Sequence, residues 1–205
     1  MELNQKSTEQ LILETAEKVF MAKGYSGARC MDIADEAGIN HAMLHYYFRT
    51  KETLFNRIFE EKVNQLLHSF VITLDDNQPF LENIKNCIEK HFEFLEKQPG
   101  LPFFVFREVI QDKAKKDFIK QKIMMSGIPV FQKLNQAIQT EIAKEAIRPV
   151  SAQDLVINLG SLNVFAFIAA QMLFDISNGI TPECKSFLDS RKQNNVDVII
   201  NSLKI

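Results

Sequence analysis

The chain has 205 residues, room for one large domain or a small domain beside a medium one. Its hydrophobic share of 46% and charged share of 24% are those of an ordinary soluble globular protein. A formal net charge of −2 excludes a polycation held on nucleic acid by bulk charge, and residues 1–51 are no more basic, with six Lys and Arg against seven Asp and Glu.

Seven Gly and six Pro leave little for β-turns, and long stretches of Leu, Ile, Lys, Glu, Gln and Phe carry a helical period. The expected fold class is all-α. Three cysteines (Cys30, Cys87, Cys184) lie far apart with no CxxC, which argues against a disulfide framework and fits reduced thiols in a cytoplasm. The opening MELNQKSTEQ lacks the basic-then-apolar build of a signal peptide, so a cytoplasmic protein is expected.

The first helix is predicted over 8–23, with Thr8 as N-cap and Gly24 as its stop. Leu11, Ile12, Ala16, Val19 and Phe20 share its inner face, and Glu9, Glu14, Glu17 and Lys18 its outer one. A second helix over 29–37 turns Cys30, Ile33 and Ala34 inward. A third begins near Asn40, a side chain able to cap it, and returns Leu44, Tyr47 and Phe48 to the core. Thr50 caps a fourth from Lys51 to about Leu74, with Leu54, Ile58, Val63, Leu66, Leu67 and Phe70 as its apolar stripe.

Asp75 to Pro79 break the chain. Helices follow over 80–97, 103–112 and 114–146, the last with a kink or break expected at Gly127 and Pro129. Ser151 caps a helix over 152–177 ended by Ser177-Asn178-Gly179, and a last helix lies near 194–204. The total is nine or ten helices and no convincing strand.

Residues 31–48 carry the strongest local pattern. In a helix-turn-helix the second helix is held at a steep angle so that its outer face can reach the major groove. That geometry needs a small residue at the close crossing, supplied by Ala34, and a residue tolerant of positive φ in the turn, supplied by Gly38. Ile33, Ile39, Leu44 and Tyr47 stand where apolar groups must fill the angle. A helical corner in a bundle can also use Ala and Gly.

From Gly24-Tyr25 through Asp32-Ile33-Ala34, Ala37-Gly38-Ile39, Leu44, Tyr47-Phe48 and Lys51-Glu52-Thr53-Leu54, the stretch resembles the TetR family of bacterial transcriptional repressors. The resemblance covers roughly residues 8–60; 75–205 show no sequence match. It implies a three-helix DNA-binding domain followed by a larger helical effector-binding and dimerisation domain, here 1–50 and 51–205.

For the third helix it implies Asn40 and His41 at the helix start, against backbone or base edges, with Met43, His45 and Tyr46 facing the groove. Tyr47 would pack inward with its hydroxyl on a phosphate, and Lys51 would meet a phosphate at a helix N-terminus. Ala28 and Arg29 stand where the family commonly has a hydroxyl cap, so Arg29 becomes a candidate phosphate contact. Met43 cannot hydrogen-bond a base edge and can only touch a thymine methyl or another apolar surface.

His41 and His45, four apart, have a metal-ligand spacing, but nothing completes a site, and no metal ion is expected. His91, between Glu89 and Glu93, reads as part of a solvated helix face. Eight of the seventeen Phe fall between Phe80 and Phe131. Each alone reads as core; together Phe92, Phe103, Phe106 and Phe131, edged by Gln132, Asn135 and Gln136, suggest a cavity for a small hydrophobic or aromatic effector.

Residues 155–174 carry no charge over a length that can span a bilayer. Asn158, Asn163 and Gln171 are costly in lipid, and flanking Lys and Arg are absent, so a buried or interface helix is expected instead of a membrane span. Phe165, Ala169, Met172, Val196 and Ile200 then become candidates for the four-helix homodimer interface that the resemblance implies.

No phosphate loop, nucleophile elbow, HExxH or paired-Cys cluster occurs, so no enzyme and no cofactor are expected. The reading is a ligand-responsive regulator bound to double-stranded operator DNA, a repressor released by its effector. The alternative is a small-molecule sensor or carrier with little DNA affinity.

Overall fold

The computed structural model describes residues 7–70, 74–176 and 179–205, with the backbone alone at 126–130. Nine helices and no strand occur among the described residues. Helix α1 (Thr8–Gly27) is capped by Ser7, whose hydroxyl accepts the Gln10 N–H, one residue earlier than the sequence suggests. Gly24 interrupts it at φ 70° and ψ 177°, a conformation open to a residue without Cβ. Ile12, Ala16, Val19 and Phe20 are buried as expected, whereas Leu11 is exposed, because its neighbour Ile12 takes the centre of the buried stripe. Glu17 is only half-exposed and pairs at 2.6 Å with the buried Lys62.

Helices α2 (Cys30–Glu36) and α3 (His41–Phe48) follow, then α4 (Lys51–Ser69), whose N-cap Thr50 accepts the Thr53 N–H at 3.1 Å. The extension of this helix to about Leu74 that its apolar stripe predicts runs through 71–73, which lie outside the described residues. Ile33, Leu44 and Phe48 pack with Ile12, Phe20, Leu54, Phe55 and Phe59 in one cluster. Phe20 meets Phe55 edge-on at 5.0 Å, the favoured geometry for aromatic quadrupoles. Leu101, Phe104 and Val105 of α6 (Leu101–Gln111) join this cluster, so the core under the helix-turn-helix crosses residue 50 and draws on later helices.

Two further clusters hold α5 (Phe80–Lys97), α7 (Lys113–Ala143), α8 (Ala152–Leu173) and α9 (Pro182–Leu203) together. Ile84 and Ile88 of α5 belong to one, with Leu134, Ile138, Leu159 and Ile199. Phe92 and Leu95, on the same helix, belong to the other, with Phe167, Cys184 and Leu188.

Three boundaries differ from the periodicity. Helix α7 runs unbroken past Gly127 and Pro129 as one 31-residue helix. Helix α8 stops at Leu173, and the proposed stop at Ser177-Asn178 lies outside the described residues. The last helix starts twelve residues early, at Pro182, because Pro at N1 after the Thr181 cap nucleates a helix as well as ending one.

Candidate nucleic-acid interface and effector core

The bend between α2 and α3 is built by backbone hydrogen bonds around a glycine. Ala37 N–H donates to Ile33 O and Ile39 N–H to Ala34 O, each at 3.0 Å, and between them Gly38 adopts φ +66°. Ala34 and Ile33 are buried at the crossing. Asn40 caps α3 as expected, its Oδ1 accepting the Met43 N–H at 2.7 Å. Arg29 occupies the N-cap of α2, is exposed, and makes no side-chain cap bond.

Leu44 and Phe48 anchor α3, which leaves Ala42, Met43, His45 and Tyr46 outward, Tyr46 at 82% exposure. Tyr47 departs from expectation. It is exposed, stands edge-on to Tyr46 at 5.4 Å, and leaves the core to Leu44 and Phe48, four apart on one face. His41 and His45 lie edge to face at 4.4 Å, and no third metal-ligating group joins them among the described residues. His45 Nδ1 donates to Arg49 O at 2.8 Å, because a carbonyl can only accept; the neutral ring then offers Nε2 as an acceptor.

The outward face is uncharged and flanked by cations. Lys51 begins α4 with its ammonium 4.4 Å from the Tyr25 ring. On α2, Asp32 pairs with Lys23 at 2.7 Å, and that hydrogen bond holds its carboxyl below the usual range, against the opposing pull of desolvation.

Helix α6 grips the helix-turn-helix unit from behind. Arg107 Nη2 donates to Phe20 O at 3.1 Å and Met21 O at 3.3 Å. The buried Glu108 accepts Tyr25 N–H at 3.1 Å and the Lys115 ammonium at 3.0 Å. Sequence reasoning missed these residues; the one signal was a charged Arg-Glu pair inside the apolar run LPFFVFREVI.

The candidate effector residues are not brought together. Phe92 is buried against Phe167 at 4.8 Å, while Phe131 packs on the other cluster. Phe103 lies half-buried beneath Arg107, and Phe106 is exposed because Phe104 and Val105 take the inner face of α6. Gln132 and Asn135 are exposed on the outer face of α7, whose inner face carries Leu134 and Ile138. Among the described residues, one open cleft of about 680 Å³ lies between Glu93, Lys97 and Lys185, and another of about 600 Å³ between Asp75, Asn83 and Gln136, the one candidate effector residue named above that lines it.

His91 corrects the expectation of a solvated face. It is 1% exposed, because the buried stripe of α5 runs Ile84, Ile88, His91, Phe92, Leu95 and takes in the histidine. Burial pushes its pKa down to about 4. Asn163 of α8 and Asn195 of α9 are buried beside it.

The candidate interface residues divide. Phe165 is 64% and Met172 73% exposed on one face of α8, with Ile157 also exposed in the same row and Ala169 half-buried. Val196 instead lies in the core with Ile199 and Leu203, and Ile200 is half-buried against the same cluster, because α9 turns that edge toward α5 and α8. Val198 is the exposed apolar residue of this segment.

A family model described as bacterial regulatory proteins, tetR family, matches residues 12–58. The fatty acid metabolism regulator protein of Bacillus subtilis is 22% identical over 174 residues, covering 80% of this chain and 86% of that one. An HTH-type transcriptional repressor of Streptomyces coelicolor is 30% identical over 90 residues, 44% of this chain and 47% of the repressor. A solved Clostridium perfringens protein assigned as a fatty acid metabolism regulator superposes with a TM-score of 0.66 at 19% identity, covering 95% of this chain and 99% of the other. A TetR transcriptional regulator from Chloroflexus aurantiacus gives 0.64 at 18%, with 97% and 96% covered.

Proposed function

We propose that the chain is a DNA-binding, ligand-responsive transcriptional regulator of the TetR type, whose family model its residues 12–58 match, and that it acts in the bacterial cytoplasm as a homodimeric repressor that an apolar effector releases from its operator. The observation that carries this is the α2–turn–α3 unit, whose second helix has a buried seam and an outward face of Met43, His45 and Tyr46 at groove-reading positions. Asn40, His41 and Tyr47 border that face, and Arg29 and Lys51 flank it as phosphate contacts.

The exposed row Ile157, Phe165, Met172 on α8 supports an isologous interface with a second copy. Such a dimer sets two recognition helices on two half-sites. The effector binds among the helices behind α4, and it needs only different affinities for the two states to shift them. Two relatives named for fatty acid metabolism favour an effector with an aliphatic chain.

A gel shift with DNA flanking the gene, run across salt concentrations, tests the reading. Binding must weaken steeply with salt as counterions are released. Absence of any salt-sensitive, sequence-preferring complex overturns it and leaves the sensor or carrier, a reading that the uncharged outer face of α3 favours.

A further inference from the structure

We propose that the buried edge of His91 is a polar anchor for an apolar effector bearing one carbonyl or carboxylate acceptor, and that this ligand binds by displacing Phe70 from the imidazole. The inference rests on the effector-responsive reading above and names the chemistry of that site.

Hydrogen-bond direction along one chain of side chains fixes where the proton on His91 sits. A guanidinium only donates. Arg191 Nη2 donates to Asn195 Oδ1 at 2.9 Å, which turns the amide nitrogen of Asn195 toward Asn163. Asn195 Nδ2 donates to Asn163 Oδ1 at 3.0 Å. Asn163 Nδ2 is thereby committed to Ile88 O at 2.9 Å and His91 Nδ1 at 3.1 Å. An imidazole that accepts at Nδ1 carries its proton, when neutral, on Nε2.

That Nε2 is buried and has no hydrogen-bond partner among the described residues. A buried donor left unpaired keeps the cost of its lost hydration, which an incoming acceptor relieves. Three side chains from α8 and α9 thus orient a donor that meets no acceptor among the described residues. Desolvation keeps the ring neutral at physiological pH, so what it offers is an N–H and not a positive charge.

The surroundings set the rest of the ligand. His91 lies on α5 between Ile88, of one apolar cluster, and Phe92, of the other, so a molecule seated there has hydrocarbon on both sides. The face of the ring is covered by Phe70, with centroids 4.1 Å apart. On α8, Gly160 is notched for that ring: a Cβ there would come within 2.8 Å of Phe70. Phe70 is the C-cap residue of α4, the helix that begins at Lys51 beside the DNA-reading unit. Displacing it moves the last turn of that helix.

The test uses the full chain labelled with ¹⁵N at histidine, decanoate and methyl decanoate as probes below their micellar concentrations, and decyltrimethylammonium as a control without an acceptor. Both probes should move the His91 Nε2–H resonance downfield and slow its exchange, and the control should not. Decanoate should also raise the pKa of His91 while the ester leaves it, which distinguishes a free acid from an esterified acyl group. His91→Phe keeps the apolar volume without the donor and should bind decanoate about tenfold more weakly.

A resonance unmoved by both probes, or wild-type decanoate affinity in His91→Phe, overturns the anchor. The resonance is read in the unaltered chain, so the result stands if that variant fails to fold. Operator binding is followed in parallel. A shifted His91 with no operator release sinks the repressor reading alone, and release with an unmoved His91 sinks the anchor alone.

Discussion

The carboxylate of Glu108 on α6 accepts the backbone N–H of Tyr25 at 3.1 Å, so the helices behind the DNA-reading unit hold it by its own main chain. Gly24 permits this, since its φ of +70° turns the next N–H out of the helix, and a Cβ there would lie 3.1 Å from both Arg107 and Glu108. Glu108 also neutralises Lys115, whose ammonium stands 4.4 Å from the Phe55 ring.

Glu108→Ala should therefore lower unfolding stability by about 2 kcal/mol, because it strands the Tyr25 N–H and leaves Lys115 its longer pair with Asp112, at 3.7 Å. Urea titration checks this. In a cycle with Lys115→Met the double variant should lose less than the two single losses summed; strict additivity would mean the pair is not coupled.

Gly24 and Gly38 share a positive φ, and Gly24 differs in its extended ψ of 177° and in its surroundings. Gly38→Ala meets nothing within 4 Å and should cost roughly 1–2 kcal/mol, the strain of a left-handed conformation alone. Gly24→Ala adds crowding against Arg107 and Glu108 and should cost more. Equal losses in thermal unfolding would refute both the added contact and the added backbone strain at Gly24.

On DNA, Lys51→Ala should weaken binding to all sequences and reduce the salt slope by about one, as expected for a phosphate contact. Met43→Thr should change the preferred base, since a hydroxyl can bond an edge that a thioether cannot. Selection from a randomised operator library separates the two behaviours. A uniform loss of affinity in Met43→Thr would place that side chain outside the groove.

For assembly, Phe165→Glu combined with Met172→Glu should give a folded monomer by sedimentation equilibrium, since both side chains are exposed in the single chain. Val196→Glu should instead unfold the protein, as that position lies in the core. A dimer that survives the double substitution would point to another face.

His91 also links stability to pH. In the folded chain burial keeps it neutral down to about pH 4, whereas the unfolded chain protonates it near 6.5. Between those values the unfolded state holds more protons, so this contribution is complete above pH 6.5 and is lost as pH falls toward 4. The loss should reach about 3 kcal/mol, at about 1.4 kcal/mol per pH unit. The charged group tied to the ring through hydrogen bonds is Arg191, by way of Asn195 and Asn163. Urea titrations at pH 7 and pH 5 should show this slope in the native chain and a shallower one in His91→Phe.

Local chemistry alone determined the helix-turn-helix. The Asn40 and Thr50 caps, Ala34 at the crossing and the positive-φ turn at Gly38 each depend on residues within a few positions, so they can be read from order and spacing. The helical class followed from periodicity in the same way. Tertiary packing decided what lies between helices. Whether α5 buries His91 or shows it to water depends on Asn163 and Asn195, 72 and 104 positions away, and a spacing rule along one helix cannot see them. The same holds for Glu108, which reads as a surface charge until Tyr25 N–H is brought to it, and for Val196, an interface candidate by hydrophobicity that α5 and α8 cover first. Burial and hydrogen-bond direction are properties of the assembled chain, and they separate the core, the outward face of α3 and the exposed row on α8.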